Sequence, residues 1–322
     1  MLKQIMLLTA VSGLIFACGG KKEGEEKNIY ISTSFREPAD SGLRFIYSRD
    51  GYHWEDMGAV FLHPEVGTQK VMRDPSIVQG PDGTFHLVWT SSWRNDLGFG
   101  YSSSKDLVNW TPQQHIVVMD WDTTTRNVWA PELFYDDEDG FFYIAWSSSI
   151  PSKFDGSHRQ YYTRTKDFKT FEPAKLFYDP GYNSIDGAVL KRGKGDYVLA
   201  VKDNRKPGYS DIHVAFGPTP AGPWSNESEP FTPEYSEGPT WAKVGDKYLI
   251  YFDVYRQYRY GAVSTTDFKT FTDISDQISV PKNHKHGTIF MVSEKTLEGV
   301  KAAAEKIRAA QASVPADSTA NK

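Results

Sequence analysis

Five ionisable residues recur along the chain at nearly even spacing, each near the start of a short apolar segment. They are Asp74, Glu132, Asp186, Glu237 and His286, separated by 58, 54, 51 and 49 residues. A buried charge is costly unless it is paired or used. If the fold brings four carboxylates and one imidazole to one place, the group indicates acid–base catalysis, a bound cation, or both. Because a turn could explain each acid taken singly, the regular spacing carries the functional interpretation.

An internal repeat in the sequence indicates which structural elements position these residues. A polar turn closed by an aromatic residue occurs five times, at spacings of 56, 61, 53 and 47, and closes at Trp54, Trp110, Phe171, Trp224 and Phe271. A second marker, a strand followed by a Gly/Asp turn and an apolar strand, repeats between these turns. A period of about 50 residues with about four short strands per unit is typical of a β-propeller. The sequence therefore predicts an all-β fold, a five-bladed β-propeller over residues 28–293.

The ring of blades is expected to close by pairing the two ends of this region. The segment 286–293 would supply the innermost strand of a split blade, and strands around 29–34, 43–47 and 59–62 would supply the rest. Closure of this kind hides the sheet edges. A two-sheet sandwich is the alternative fold, but it requires no such regular period.

Composition excludes several classes of protein. The chain of 322 residues contains one cysteine, which excludes a disulfide scaffold. No apolar run reaches about 18 residues, which excludes a polytopic membrane protein. The formal net charge of −5 disfavours binding to nucleic acid. We expect the protein to be a monomer.

The two ends of the chain differ from the repeat. Lys3 and the apolar run that follows it indicate a signal peptide over residues 1–17, and the preceding Ile-Phe-Ala makes Cys18 resemble the lipidated cysteine of a bacterial lipoprotein. Residues 18–27 would then form a tether, and the protein would be exported to the periplasmic or cell-surface side of the outer membrane. The alternative is a buried cysteine in a short helix. Residues 294–322 predict a surface helix, with Ser293 as its N-cap, followed by a disordered tail.

The segments around the recurring residues resemble a known family. In order they are Arg73-Asp74-Pro75, Val128-Trp129-Ala130-Pro131-Glu132, Ser184-Ile185-Asp186-Gly187, Glu237-Gly238-Pro239 and His286-Gly287. This order resembles glycoside hydrolase family 43 over residues 28–293. The resemblance implies a five-bladed propeller that acts on arabinan, xylan or related glycans with inversion at the anomeric carbon.

The resemblance also implies three catalytic roles. Asp74 matches the general base, Glu237 the general acid, and Asp186 the acid that tunes the pKa of the proton donor and orients it. An inverting glycosidase needs one ionised carboxylate to activate water and one protonated carboxyl group for the leaving oxygen, roughly 6.5–9.5 Å apart. Placing these groups on different blades would hold them apart rigidly.

Four further residues are expected to bind substrate. Trp129 would form a wall of the sugar pocket, because an indole face suits the apolar face of a sugar ring, although packing alone would also explain it. Glu132 departs from the aspartate that many relatives carry, and is expected to bind a hydroxyl group rather than transfer a proton. Arg73 and Arg259 are expected to bind substrate hydroxyls or to pair with the acids.

His286 matches a family histidine that is often associated with a hydrated calcium ion. The resemblance therefore implies a structural Ca²⁺ in the central channel that His286 contacts through water, with no cofactor required for the reaction. The alternative is an imidazole held in the channel by hydrogen bonds alone. His284 is expected to lie in a surface loop.

These expectations lead to an exo-acting glycosidase whose partner is an oligosaccharide or a polysaccharide. The activity that we predict first is that of an α-L-arabinofuranosidase or a β-xylosidase. A β-galactofuranosidase of the same family and a propeller that binds surface glycans without cutting them remain as alternatives. A family 32-like fructosidase is disfavoured because its Asn-Asp-Pro-Asn motif is absent. Loops such as 92–98 and 150–159, at the expected channel mouth, would set the choice of sugar.

Overall fold

Nineteen strands and one α-helix make up the part of the chain that the computed structural model describes, residues 27–313. The predicted signal peptide and Cys18 lie outside these residues. The strands are β1 Lys27–Ser34, β2 Arg44–Ser48, β3 Trp54–Asp56, β4 Arg73–Gln79, β5 Phe85–Thr90, β6 Gly98–Ser104, β7 Gln114–Val117, β8 Trp129–Asp136, β9 Phe141–Ser149, β10 His158–Thr165, β11 Lys175–Tyr178, β12 Ser184–Gly193, β13 Asp196–Asp203, β14 Ile212–Gly217, β15 Ser236–Val244, β16 Lys247–Val254, β17 Arg259–Thr265, β18 Thr272–Asp273 and β19 Ile289–Ser293. The helix α1 spans Glu294–Ala312.

The strands form five antiparallel sheets, which are the blades of a β-propeller. Blade 1 has the order β19-β1-β2-β3, blade 2 β4-β5-β6-β7, blade 3 β8-β9-β10-β11, blade 4 β12-β13-β14 and blade 5 β15-β16-β17-β18. The antiparallel pairing of β1 with β19, in which Ile31 lies opposite Phe290, closes the ring. The predicted fold and its closure by the two ends are confirmed.

Two strands differ from the prediction. The outermost strand of blade 1 is β3, whereas residues 59–62 form no strand, with one isolated bridge between Leu43 and Leu62 and Phe61 packed on Phe45 at 4.8 Å. Gly58 redirects the chain there, because it has a φ of +69° and donates its N–H to the Asp56 carboxylate at 2.7 Å. Blade 4 lacks a fourth strand. After its turn, 217–224, the hydroxyls of Ser228 and Thr232 accept hydrogen bonds from the N–H groups of Val214 and Ile212 at 3.1 and 2.9 Å, in place of the backbone carbonyls of a fourth strand.

Four of the aromatic-closed turns share one hydrogen-bond pattern. In the turn at Ser104, the hydroxyl accepts from the N–H of Leu107 at 2.9 Å, and the Asp106 carboxylate accepts from the N–H groups of Val108 and Asn109 at 2.9 and 2.8 Å. The turns that begin at Ser48, Thr165 and Thr265 repeat these bonds. A local side-chain cap of this kind reverses the chain within a few residues. The repeated sequence marker is therefore a structural turn.

The helix α1 packs against blade 1. Ser293 caps it by accepting a hydrogen bond from the N–H of Thr296 at 3.2 Å, as predicted. Leu297, Val300 and Ala304 are buried in the apolar cluster of blades 1 and 2, so one face of the surface helix belongs to the core. Within residues 27–313, no helix combines the length and apolar character needed to cross a bilayer.

Candidate active site

Each inner strand of blades 2 to 5 begins with a β-bulge. The pairing register shifts between Arg73 and Ser76, Trp129 and Glu132, Ile185 and Ala188, and Glu237 and Thr240. In each bulge the residue after the first has a positive φ: Asp74 +50°, Ala130 +45°, Asp186 +54° and Gly238 +58°. A bulge bends its strand and redirects side chains, and bulges are common beside active sites. Here the bulges turn the strand starts toward the mouth of the channel.

The bulges correct the expectation of one equivalent ionisable residue per blade. Asp74 and Asp186 are equivalent, but the corresponding residues of blades 3 and 5 are Ala130 and Gly238. Glu237 lies one residue before the equivalent position, and Glu132 lies two residues after it. Glycine is required at 238, because a Cβ atom there would lie 2.1 Å from Cγ of the His286 ring. The acids therefore lie at different depths in the channel.

The second strands supply a ring of partners that the sequence reading missed. The residues opposite the first bulge residue are Thr90, Ser147, Lys202 and Asp253. Each reaches the start of the next blade. Thr90 Oγ1 accepts from the N–H of Ala130 at 2.8 Å, and Ser147 Oγ accepts from the N–H of Asp186 at 3.3 Å.

The other two partners are charged. Lys202 is 2% exposed, and its Nζ donates to Oε2 of Glu237 at 3.1 Å. Asp253 Oδ2 accepts from the backbone N–H of His286 at 3.2 Å and lies 2.7 Å from its Nδ1. Every strand start in the channel mouth is thus held by the second strand of the preceding blade. The signal in the sequence was a polar residue at the end of each apolar second strand.

A pocket of about 450 Å³ lies where the inner strands begin, and Asp74, Asp186 and Glu237 all line it. Trp129 also lines it, as predicted. Beneath it, a cavity of about 30 Å³ is lined by residues of the inner strands, including Glu132. The lower cavity has room for about one water molecule, so a sugar ring fits only the upper pocket.

Asp74 and His286 form an ion pair at the boundary between the pocket and the channel. His286 Nε2 lies 2.9 Å from Asp74 Oδ1, and the Thr90 hydroxyl donates to Oδ2 at 2.7 Å. Burial raises the pKa of Asp74, but the hydrogen bond and the charge of His286 outweigh it and lower the pKa to about 2. Burial lowers the pKa of His286, yet its bonds to Asp253 and Asp74 raise it well above its usual value. Asp74 is therefore a carboxylate beside an imidazolium.

Asp186 behaves differently although its backbone position is equivalent. Burial raises its pKa to about 6, with the charges of Glu237 and Asp74 adding to the effect and those of Lys202 and His286 opposing it. Its Oδ2 accepts from the N–H of Gly238 at 3.1 Å. Asp186 thus fixes the backbone directly after Glu237 and exchanges its proton near neutral pH.

Glu132 lies in the lower cavity rather than in the pocket, which corrects its predicted place among the substrate-binding residues. It accepts a hydrogen bond from Thr288 Oγ1 at 3.3 Å, and its exposed surface faces the cavity. Burial raises the pKa of Glu132 to about 7, although the hydrogen bonds of Ser76 and Thr288 act to lower it. Glu132 is a structural group of the channel that can retain its proton at weakly acidic pH.

We expect Glu132→Gln to stabilise the protein at alkaline pH. The folded state keeps the Glu132 proton up to a pKa of about 7, whereas the ordinary value is 4.5, so ionisation destabilises the folded state as the pH rises between these values. The glutamine carries no charge. At pH ~8 its free energy of unfolding should exceed that of the wild type by about 3 kcal/mol, and at pH ~4 the two should agree. Urea titrations across this range measure the difference, with the exposed Glu305→Gln as control; a gain independent of pH would contradict the assignment.

Aromatic and cationic side chains form one wall of the pocket. The Arg73 guanidinium lies 4.2 Å from the centroid of Trp93, which packs against Trp129 at 5.2 Å, and Trp129 stacks on His158 at 4.9 Å. Arg73 is paired with Glu37. Trp93 and His158 were not predicted; both lie in or beside the loops expected to set the choice of sugar.

The structure does not bring Arg259 into this wall. It is exposed at the start of β17, and β16 separates β17 from β15, the innermost strand of the blade. Its guanidinium donates to Oε1 of Gln257 at 2.7 Å and to the carbonyl of Tyr260 at 3.3 Å. Local hydrogen bonds therefore hold it away from the pocket.

His284 also differs from expectation. His284 is buried, with Nδ1 2.9 Å from the Ser34 hydroxyl and Nε2 3.3 Å from Asp56 Oδ2. Its environment is the interior of blade 1, not a surface loop.

The channel residues do not fit a calcium ion hydrated at His286. One donor atom each from Glu237, Asp253 and His286 lies within 4.8 Å of the others. However, the ring nitrogens of His286 lie 2.9 Å from Asp74 Oδ1 and 2.7 Å from Asp253 Oδ2, so neither is free to contact a metal or a metal-bound water. Calcium takes six to eight oxygen ligands, and the lower cavity of about 30 Å³ has no room for several waters. His286 itself lies between the carboxylates of Asp74 and Asp253.

Removal of metal should accordingly leave the activity unchanged. After dialysis against a calcium chelator, we expect the rate of glycoside hydrolysis to stay within about twofold of the untreated value, because the charge beside Asp74 comes from His286. Activity assays with and without added Ca²⁺, together with elemental analysis, measure this. A loss of activity that Ca²⁺ restores and Mg²⁺ does not would refute the prediction.

Comparison with known proteins assigns the family. A family model described as "Probable glycosyl hydrolase domain", related to glycoside hydrolase family 43, matches residues 25–298. An α-L-arabinofuranosidase of Bifidobacterium longum subsp. longum is 24% identical in a match of 174 residues that covers 45% of this chain and 16% of that enzyme. The chain thus spans less than a fifth of that relative.

Solved structures share the fold at low sequence identity. The α-L-arabinofuranosidase from Lactobacillus brevis is 20% identical with a TM-score of 0.53, over 63% of this chain and 72% of its own. The xylan β-1,4-xylosidase from Bacillus halodurans is 15% identical with a TM-score of 0.51, over 65% of this chain and 42% of its own. These likenesses show the fold, and the family match extends over most of the chain. The protein belongs to the glycosyl hydrolase domains related to family 43.

Proposed function

We propose that the protein is an inverting, exo-acting glycosidase that removes α-L-arabinofuranosyl or β-xylosyl units from plant-type glycans. In this proposal Asp74 is the general base, Glu237 is the general acid, and Asp186 positions the acid and tunes its protonation. One observation carries the proposal: three carboxyl groups from three different blades line a single pocket large enough for a sugar unit.

The protonation of Asp74 supports its role. With a pKa of about 2, it is ionised at every pH at which the enzyme is expected to work. A carboxylate fixed by Thr90 and His286 can accept a proton from a water molecule on one face of the sugar. The attack of that water on the anomeric carbon inverts the configuration.

The role of Glu237 requires a change in its ion pair. Its bond to Lys202 at 3.1 Å joins an ammonium to a carboxylate, whereas a proton donor must be protonated. We propose that a sugar entering the pocket displaces Lys202 from Glu237, and that the adjacent Asp186 then supplies the negative field that favours protonation of the acid. Lys202 thereby becomes free to contact a substrate hydroxyl.

The choice of sugar rests on the relatives. The matched proteins include two α-L-arabinofuranosidases and a xylosidase, and the indole of Trp129 suits a pentose ring. A panel of nitrophenyl α-L-arabinofuranoside, β-xyloside and β-galactofuranoside tests the specificity. NMR observation of the first anomer released from the best substrate tests inversion; release of the retained anomer would overturn the mechanism.

The Lys202–Glu237 ion pair also favours a second candidate function, a propeller that binds surface glycans without hydrolysing them. In that case the ion pair persists in the complex and Glu237 never donates a proton. Binding of an arabinan or xylan oligosaccharide without release of sugar from any member of the panel would establish this alternative.

A further inference from the structure

A second pocket of about 490 Å³ adjoins the catalytic pocket. Trp93, Trp129 and His158 line both, so the two spaces share one wall. The second pocket is formed by the loops between β5 and β6, between β7 and β8, and between β9 and β10. Nothing in the proposed reaction uses it.

Two arginines without partners give this pocket a positive charge. Arg94 and Arg126 line it, and both are exposed. Neither guanidinium forms an ion pair or a side-chain hydrogen bond with any residue between 27 and 313, and the lining of the pocket contains no Asp or Glu. In contrast, Arg159 and Arg205 are paired with Asp179 and Asp203. Two unpaired guanidinium groups are notable in a chain of net charge −5.

The remaining lining is suited to a sugar. The ring of His158 stacks on Trp129 at 4.9 Å, with both of its nitrogens buried. Burial lowers the pKa of His158 to about 4, so the ring adds no positive charge to that of the arginines. Trp93 is 42% exposed and presents an indole face. Asn95 and Asn183 add amide groups that can bind hydroxyls.

We propose that this pocket binds a uronic acid residue of the glycan, adjacent to the sugar held over Asp74 and Glu237. The guanidinium groups of Arg94 and Arg126 would bind the carboxylate, because arginine presents two parallel donors that match its two oxygens. Asn95 and Asn183 would bind hydroxyls, and the indole of Trp93 would pack against the sugar ring. The substrate is then an acidic glycan, in which a uronic acid follows the unit removed. That the uronic acid adjoins the sugar to be removed rests on the proposed function, whereas the binding of a uronic acid in this pocket does not.

Binding can be measured without catalysis. We expect the Glu237→Gln variant to bind D-glucuronate about tenfold more tightly than D-glucose in ligand-observed NMR titrations, with the difference shrinking at high salt. The double substitution Arg94→Gln/Arg126→Gln in the same variant should remove this preference. The double substitution Lys194→Gln/Lys247→Gln, at exposed turns on the opposite face, makes the same change in net charge and should preserve it.

Three outcomes would overturn the inference. They are equal affinity for glucuronate and glucose, a preference that survives loss of both arginines, and tighter binding of glucose 6-sulfate than of glucuronate, which would assign the site to sulfate esters. Because both arginines are exposed, we expect their substitution to leave the fold intact. Circular dichroism of each variant verifies this.

Kinetics distinguish this inference from the proposed function. With the active wild type, kcat/KM for an oligosaccharide that carries a uronic acid beside the terminal unit should exceed that for its methyl ester by about tenfold, through KM. Hydrolysis without this preference contradicts the uronic acid site alone. Binding of glucuronate through the two arginines without hydrolysis of any glycoside contradicts the proposed function alone.

Discussion

Asp74→Asn should lower kcat on the best glycoside by about 10³-fold or more, because the amide cannot accept the proton of the attacking water. The substitution preserves the shape of the side chain and the hydrogen bond from Thr90, so the affinity for an oligosaccharide should change little. Initial-rate kinetics and a binding titration separate the two effects. Asp246→Asn, the same change at an exposed turn of the opposite face, should leave both unchanged.

The effect of the substitution Glu237→Gln on the rate should depend on the leaving group of the substrate. A glycan whose leaving oxygen needs a proton should react about 10³-fold more slowly, whereas a dinitrophenyl glycoside, whose leaving group needs none, should retain most of its rate. If Asp74→Asn shows this dependence on the leaving group and Glu237→Gln does not, the two roles are exchanged. If neither variant loses activity, the pocket is not the catalytic site.

His286→Gln should impair both stability and the acid side of the pH profile. The imidazolium lies between the carboxylates of Asp74 and Asp253, and its loss leaves two buried anions without their shared partner. Removal of one member of a buried ion pair typically costs about 3–5 kcal/mol. With His286 gone, the burial that raises the pKa of Asp74 is no longer outweighed by its largest opposing interaction. The base then becomes protonated at higher pH, and the acid limb of kcat/KM should move upward by about one unit or more.

Urea unfolding and a pH profile of kcat/KM measure these two effects. His284→Gln is the matched control, because it removes a buried imidazole that contacts Ser34 and Asp56 but does not line the pocket. It should lower stability without moving the acid limb. An unchanged acid limb in His286→Gln would show that His286 does not hold Asp74 in its ionised form.

The repeat made the fold predictable from sequence, because each blade must bury the same strands against its neighbours. What the sequence concealed was the register within the repeat. The prediction aligned the acids with one another, whereas the structure aligns Pro75, Pro131 and Pro239 as the third residue of each bulge. Those prolines were visible in the sequence and would have placed Glu237 and Glu132 at different depths.

The partners of the acids were harder to predict. Lys202 ends an apolar strand of blade 4 but acts on Glu237 of blade 5. That contact depends on how closely consecutive blades approach, which no local pattern specifies. The strand missing from blade 4 could not be predicted from its prolines, because they lie in the turn 217–224, before the segment in which the other blades form their outer strand.

The pairing of β1 with β19 determines how the molecule would face a membrane. Lys27 lies opposite Ser293, at the end of β19 farthest from His286, so the chain enters the propeller on the face opposite the pocket. Lys27 follows Cys18 by nine positions, and nine residues reach at most about 30 Å. If Cys18 carries the lipid that the sequence predicts, the bilayer lies behind the propeller and the pocket opens toward the surrounding water. A long polysaccharide could then present its chain ends to the enzyme without approaching the lipid headgroups.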